Sequence, residues 1–136
     1  MQLTRFTDYS LRVLMYLAMN PDRLCTVKEI TNYYGISQNH LTKAVHNLSK
    51  LEYIQSSRGK GGGIQLMKDP DQINLRDLIT KLEPSFVLVE CFDESTNTCR
   101  ISSTCGLKGI LYESLQAFNN SLGNYSLADT ICKMKM

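Results

Sequence analysis

A capping box, a glycine turn and a polar-faced helix, in that order, constrain this chain more than any other feature. Thr26-Val27-Lys28-Glu29 opens a helix that runs to Tyr34, because the threonine hydroxyl and the glutamate carboxylate each satisfy the other's free backbone amide. Gly35 supplies the turn, and Ser37 is placed to cap the next helix. In that helix Leu41, Ala44, Val45, Leu48 and Leu51 fall on one apolar stripe, leaving Gln38, Asn39, His40, Thr42 and Lys43 on or near the outer face. Helix, glycine turn, helix is the pattern of a helix-turn-helix. A helix over roughly Asp8 to Met19 precedes it, with Thr7 as its expected cap and Leu11, Leu14, Met15 and Ala18 at helical spacing.

Downstream, two strand-like runs, Tyr53 to Ser57 and Ile64 to Met67, flank a basic glycine-rich tip from Arg58 to Gly63 and predict a hairpin, or wing. Asp69-Pro70 interrupts the chain, Asn74 caps a fourth helix through Leu82, and Pro84 closes it. Leu107, Ile110, Leu111, Leu115 and Phe118 recur at helical spacing, so a long last helix follows with little left in the chain to pack on. A partner subunit would supply that surface. The expected fold is mainly α with a small β wing. Its parts are a winged helix-turn-helix domain over 1–84, a cysteine-rich loop over 85–106, a dimerisation helix over 107–123 and a C-terminal tail over 124–136.

Charge is distributed as this division requires. Residues 1–68 carry nine Lys and Arg against four Asp and Glu, whereas residues 69–136 carry six against nine. The basic half is the one expected to face phosphates. Gln38 and Asn39 have the amide geometry to bond adenine edges, and Lys43 reaches guanine or a phosphate. Arg58 and Lys60 sit where a flexible tip lets the backbone approach a duplex. The tip is not a nucleotide-binding P-loop, because the order of glycines, lysine and hydroxyl residue is absent and no helix follows. No enzymatic constellation is expected.

Cys91, Cys99 and Cys105 lie in one polar segment with C-x7-C-x5-C spacing. The N-terminus lacks the apolar core and cleavage site of a secretory signal, so a cytoplasmic, reducing location is expected, with no membrane attachment and no disulfides among the five cysteines. Three thiolates are soft ligands for zinc, copper(I) or an iron–sulfur cluster. The tight knuckles of structural zinc sites are missing, but spacing alone leaves zinc and a cluster both open. Cys25 and Cys132 stand apart from the trio.

Several stretches together are similar to the bacterial winged-helix repressors that carry iron–sulfur clusters. They are Phe6 to Arg12, the helix-turn-helix, Ser57 to Ile64 with Leu66, Leu82-Glu83-Pro84, the three cysteines, and Asn124 to Asp129. The branch most similar to the chain is the nitrite-sensitive, nitric-oxide-sensing one. The resemblance implies a homodimer on a palindromic operator in double-stranded DNA, its long helix crossing the twin. It implies a cluster per subunit, of 4Fe-4S type with 2Fe-2S as the alternative, and repression that ends when nitric oxide attacks the cluster. The ligands it implies are Cys91, Cys99 and Cys105, with the partner subunit's Asp8 as the fourth. From the residues alone, Asp8 reads as a helix-end carboxylate able to pair with Arg12 one turn on.

Three departures from the family pattern matter. No histidine follows Cys105, and both His40 and His46 lie in the recognition helix, which argues against the cluster-biogenesis branch. The first cysteine gap is longer than is usual, predicting a looser loop from Phe92 to Thr98. Glu52 stands where the family commonly has a helix-ending glycine, predicting a strained left-handed residue between helix and wing. The competing functions are an iron- or redox-sensing regulator with a 2Fe-2S cluster and a zinc-stabilised nucleic-acid-binding module with no sensing role.

Overall fold

The computed structural model describes residues 1–134. Helix α1 (Arg5–Met19) begins a turn earlier than the sequence pattern places it. Thr4, not Thr7, is the cap: its hydroxyl oxygen accepts the Thr7 amide at 3.3 Å, while Thr7 itself is fully buried within the helix. A contact distant in sequence moves the boundary, since the Glu83 carboxylate accepts both the Thr4 amide at 3.1 Å and the Thr4 hydroxyl at 3.2 Å. Val13, Leu14, Tyr16 and Leu17 turn inward and form the centre of the core.

Helix α2 (Val27–Tyr34) carries the expected capping box, with Glu29 N donating to Thr26 Oγ1 at 3.1 Å and Thr26 N to Glu29 Oε2 at 3.0 Å. Gly35 ends it with φ of 66°, a conformation glycine adopts without a Cβ penalty. Helix α3 (Gln38–Lys50) follows, burying Leu41, Ala44, Val45 and Leu48 against α1. Ser37 stands at its N-cap position but makes no side-chain cap bond. Glu52 has φ of 63° and is the only non-glycine residue with positive φ among the described residues, as the missing glycine predicts.

Strands β1 (Ile54–Ser57) and β2 (Gly63–Leu66) pair antiparallel, Ile54 opposite Leu66 and Ser57 opposite Gly63. Cys25 adds a one-residue rung on the other edge of β2: Cys25 N donates to Ile64 O at 2.9 Å and Ile64 N to Cys25 O at 2.7 Å. That rung fixes the wing to the segment between α1 and α2. It also explains Gly63, where a Cβ would stand 2.6 Å from the Cys25 carbonyl oxygen.

A 3-10 turn (Pro70–Gln72) leads into α4 (Leu75–Leu82), capped by Asn74 Oδ1, which accepts the amides of Arg76 at 3.0 Å and Asp77 at 3.3 Å. Residues 83–105 are irregular apart from a 3-10 turn (Glu90–Phe92), and α5 (Gly106–Leu122) buries none of its residues in this chain. Where the sequence pattern places a tail, the structure has a further helix, α6 (Leu127–Met134). Ser126 and Asp129 cap it reciprocally, with Ser126 N donating to Asp129 Oδ2 at 2.7 Å. Leu127 is fully buried, and α6 packs on α1 and the Pro70–Gln72 turn. No helix among the described residues is long and apolar enough to cross a membrane.

Candidate functional site

The outer face of α3 is free of core contacts. Gln38, Asn39, His40, Thr42 and Lys43 are all exposed, and its first turn holds no acidic side chain. Thr42 spends its hydroxyl proton on the Gln38 carbonyl at 2.8 Å, so that face is shaped by a local bond as well as by register. His40 leans on Tyr9 of α1, ring centroids 5.9 Å apart. Two exposed residues missing from the sequence-based set continue the stripe, His46 and Lys50. Their spacing from Asn39 and Lys43 follows the helical repeat and was signal enough to find them.

Arg58 and Lys60 are exposed at the wing tip. Gly59 and Gly61 have φ of 92° and 80°, and Gly62 donates to the Gly59 carbonyl at 3.0 Å, closing the tip into a tight loop. The tip therefore presents its two cations from a backbone few other residues could adopt.

Asp8 faces away from the core on α1 and is held by Arg12 through two bonds of 3.0 Å, Nε to Oδ1 and the terminal amino group to Oδ2. The same guanidinium lies 5.6 Å from the Tyr9 ring centre and 5.9 Å from that of Tyr34. Tyr34 packs edge-on against Tyr33 and Tyr16, and burial pushes its phenol up to about 12. This cluster joins the start of α1 to both helices of the helix-turn-helix.

The five cysteines are free, and they differ in setting. Cys25 is fully buried in the core, where desolvation raises its thiol above the ordinary range. Cys132 is exposed on α6. Cys91, Cys99 and Cys105 are each half-buried: Cys91 in the Glu90–Phe92 turn, Cys99 with its amide donating to Asn97 Oδ1 at 3.0 Å, and Cys105 at the N-cap of α5. Among the described residues, no group of three or more His, Cys, Asp or Glu stands close enough to hold a metal ion. The chain by itself thus does not gather Asp8 and the three thiols into one site. As donors the trio fits an iron–sulfur cluster or zinc, being soft, unengaged in the core and free of disulfides.

A helical body with a helix-turn-helix and a basic glycine-tipped wing defines a winged-helix DNA-binding regulator. The chain matches the model of the Rrf2 family, described as iron-dependent transcriptional regulators, over residues 3–133, and it belongs to that family. Among curated proteins it is 46% identical over 132 residues to the HTH-type transcriptional regulator NsrR of Shouchella clausii, covering 96% of this chain and 89% of that protein. It is 47% identical over 132 residues to the regulator of the same name from Bacillus subtilis, covering 96% and 90%. Among solved structures the fold is shared by T. potens IscR, with a TM-score of 0.78 at 21% identity, covering 98% of this chain and 88% of that one. It is shared also by the global cysteine regulator CymR of B. subtilis, with a TM-score of 0.79 at 22% identity over 98% of both chains. The chain is a transcription regulator of the repressor class that binds DNA, and not an enzyme.

Proposed function

We propose that this regulator represses its targets until nitric oxide reaches an iron–sulfur cluster held by Cys91, Cys99 and Cys105, and then releases DNA. The observation that carries the reading is the trio of unengaged, half-buried thiols in one segment of a chain so similar to NsrR proteins. When bound, such a cluster supplies iron with which nitric oxide reacts; the 4Fe-4S form is favoured, and a 2Fe-2S form would suit an iron or redox signal. The fourth ligand in this reading is the partner subunit's Asp8, which would exchange its bond to Arg12 for iron. A carboxylate is a hard ligand on soft iron and leaves that corner the easiest to displace.

The reading includes a cytoplasmic homodimer joined through α5, which leaves Leu107, Ile110 and Phe118 exposed and has no fully buried residue in its own chain. A two-fold dimer carries two recognition helices and matches a palindromic operator, with Gln38, Asn39, His40, Thr42 and Lys43 facing bases and Arg58 and Lys60 facing phosphates. The test is absorption in the visible region, with iron and sulfide analysis, on anaerobically purified protein. A coloured wild type and colourless Cys91→Ala, Cys99→Ala and Cys105→Ala variants are expected, with Cys25→Ala and Cys132→Ala unaffected. Colourless wild-type protein containing zinc would replace this reading with the zinc-stabilised one.

A further inference from the structure

The seven residues between Cys91 and Cys99 present a problem of loop entropy, since a longer loop holds its two ends together less well. The side chains in this loop counteract that. Thr98 directs its hydroxyl at the Glu90 carboxylate, with distances of 3.3 and 3.2 Å to the two oxygens. Glu90 and Thr98 are the residues immediately before Cys91 and Cys99, so this one contact closes the loop one residue ahead of each thiol. Asn97 acts beside it: its Oδ1 accepts the Cys99 amide at 3.0 Å and its Nδ2 donates to Ser102 Oγ at 2.9 Å. Within the loop, Asp93 Oδ1 accepts both the amide of Ser95 at 3.0 Å and its hydroxyl at 2.6 Å, turning the chain back.

We propose that Thr98 and Asn97 are positioning residues for the thiol centre: the Thr98–Glu90 contact holds the two ends of the Cys91–Cys99 loop together, and the Asn97 amide orients Cys99. The proposal rests on the reading that these cysteines act together as ligands. Its physical content is an elevated effective concentration of one thiol at the other before any ligand arrives. The Thr98–Glu90 contact is exposed and long for a hydroxyl donor, so it counts as an ordinary hydrogen bond. Even a bond of ordinary net strength biases the closed loop by roughly fivefold.

The effective concentration is measured on the ligand-free full-length chain carrying Cys105→Ser and Cys132→Ser, equilibrated with glutathione buffers; Cys25 is enclosed by the core. In that equilibrium the two thiols form one disulfide as one oxidised glutathione is reduced to two thiols, and peptide mapping quantifies the Cys91–Cys99 product. Thr98→Val and Asn97→Ala should each lower the effective concentration roughly fivefold, and Thr98→Ser, which keeps the hydroxyl, should restore it. Ser103→Ala, an exposed change in the neighbouring turn, should leave it unchanged. Wild-type values for both Thr98→Val and Asn97→Ala would overturn the proposal. So would failure of Thr98→Ser to restore the Thr98→Val loss, since the hydroxyl would then not be the cause. A wild type that binds no cluster under anaerobic reconstitution would count against the ligand reading alone, because the thiol equilibrium decides the positioning role without a metal.

Discussion

Glu29 shows how one side chain can hold several elements. Its carboxylate accepts the Thr26 amide, the Arg23 guanidinium at 2.6 Å and the Tyr16 hydroxyl at 3.1 Å. The Thr26 amide above all, then Arg23 and Tyr16, pull its pKa down from 4.5 to about 2 against the opposing effect of burial. A carboxyl depressed in the folded state contributes stability that is complete above its unfolded value and disappears as pH falls through its folded one. Glu29→Gln keeps an oxygen for the Thr26 amide but removes the charge that faces Arg23, and should cost about 1 kcal/mol at pH 7, the difference between charge-assisted and neutral hydrogen bonds. The variant and the wild type should converge between about pH 4.5 and pH 2, where the wild-type advantage titrates away. Urea melts across that interval test it; a gap that persists below pH 2 would point to packing. The capping box was legible because its members are three apart, whereas Tyr16 and Arg23 come from other elements and left no local signature. Asp8 has two candidate roles, which one substitution separates. Asp8→Ala should cost only about 0.3–0.5 kcal/mol if the exposed pair with Arg12 is its whole role. As a cluster ligand, it should instead also shift the visible spectrum of the anaerobic dimer.

Among the elements, the wing depends on glycines in two different ways. At the tip, Gly59 and Gly61 supply positive φ, while at the base Gly63 makes room for the Cys25 carbonyl. Gly63→Ala should force the Cys25–Ile64 rung apart, cost about 1–3 kcal/mol in the manner of an overpacked core site, and weaken operator binding by displacing the tip. Thermal melts and a binding titration would show both losses together, and a stable variant with normal DNA affinity would remove the rung from the wing's support. Arg58→Ala and Lys60→Ala should each reduce the slope of log K against log salt by about 0.9. Changes at Asn39 or Lys43 should instead alter base preference, each lost contact costing about 1–3 kcal/mol at one operator position. The two helices and the hairpin were readable because cap, period and turn chemistry agree locally, whereas the strained Glu52 was readable only through the family resemblance, in which a helix-ending glycine is usual there. Helix α6 went unread although Ser126 and Asp129 form a local capping box, because the helix it opens is only eight residues long and its hold on the body comes from the burial of Leu127 and packing on α1. The start of α1 escaped because Glu83, distant in sequence but adjacent in the fold, acts on Thr4.

For the molecule as a whole, the head has a closed core and α5 does not belong to it. Ile110 is 62% exposed on α5, on the side that also leaves Leu107 uncovered, so Ile110→Glu should convert the proposed dimer into a folded monomer. Sedimentation velocity and far-UV circular dichroism would report the two properties separately, and an unaltered dimer would move the interface elsewhere. The type of each site residue was legible in the sequence, but not their assembly: the thiols, Asp8 and the reading face lie on separate elements, and Asp8 is expected to act across a subunit boundary. The central claim is that the three thiols make DNA binding answer to nitric oxide. Its most direct test is an anaerobic nitric oxide titration of the protein bound to fluorescent DNA carrying an operator selected in vitro, with visible absorption and fluorescence anisotropy followed in one cuvette. The account predicts that the cluster absorption and the anisotropy fall together, and that Cys99→Ala shows neither a chromophore nor a response. An anisotropy that stays constant while the cluster absorption is lost would contradict it.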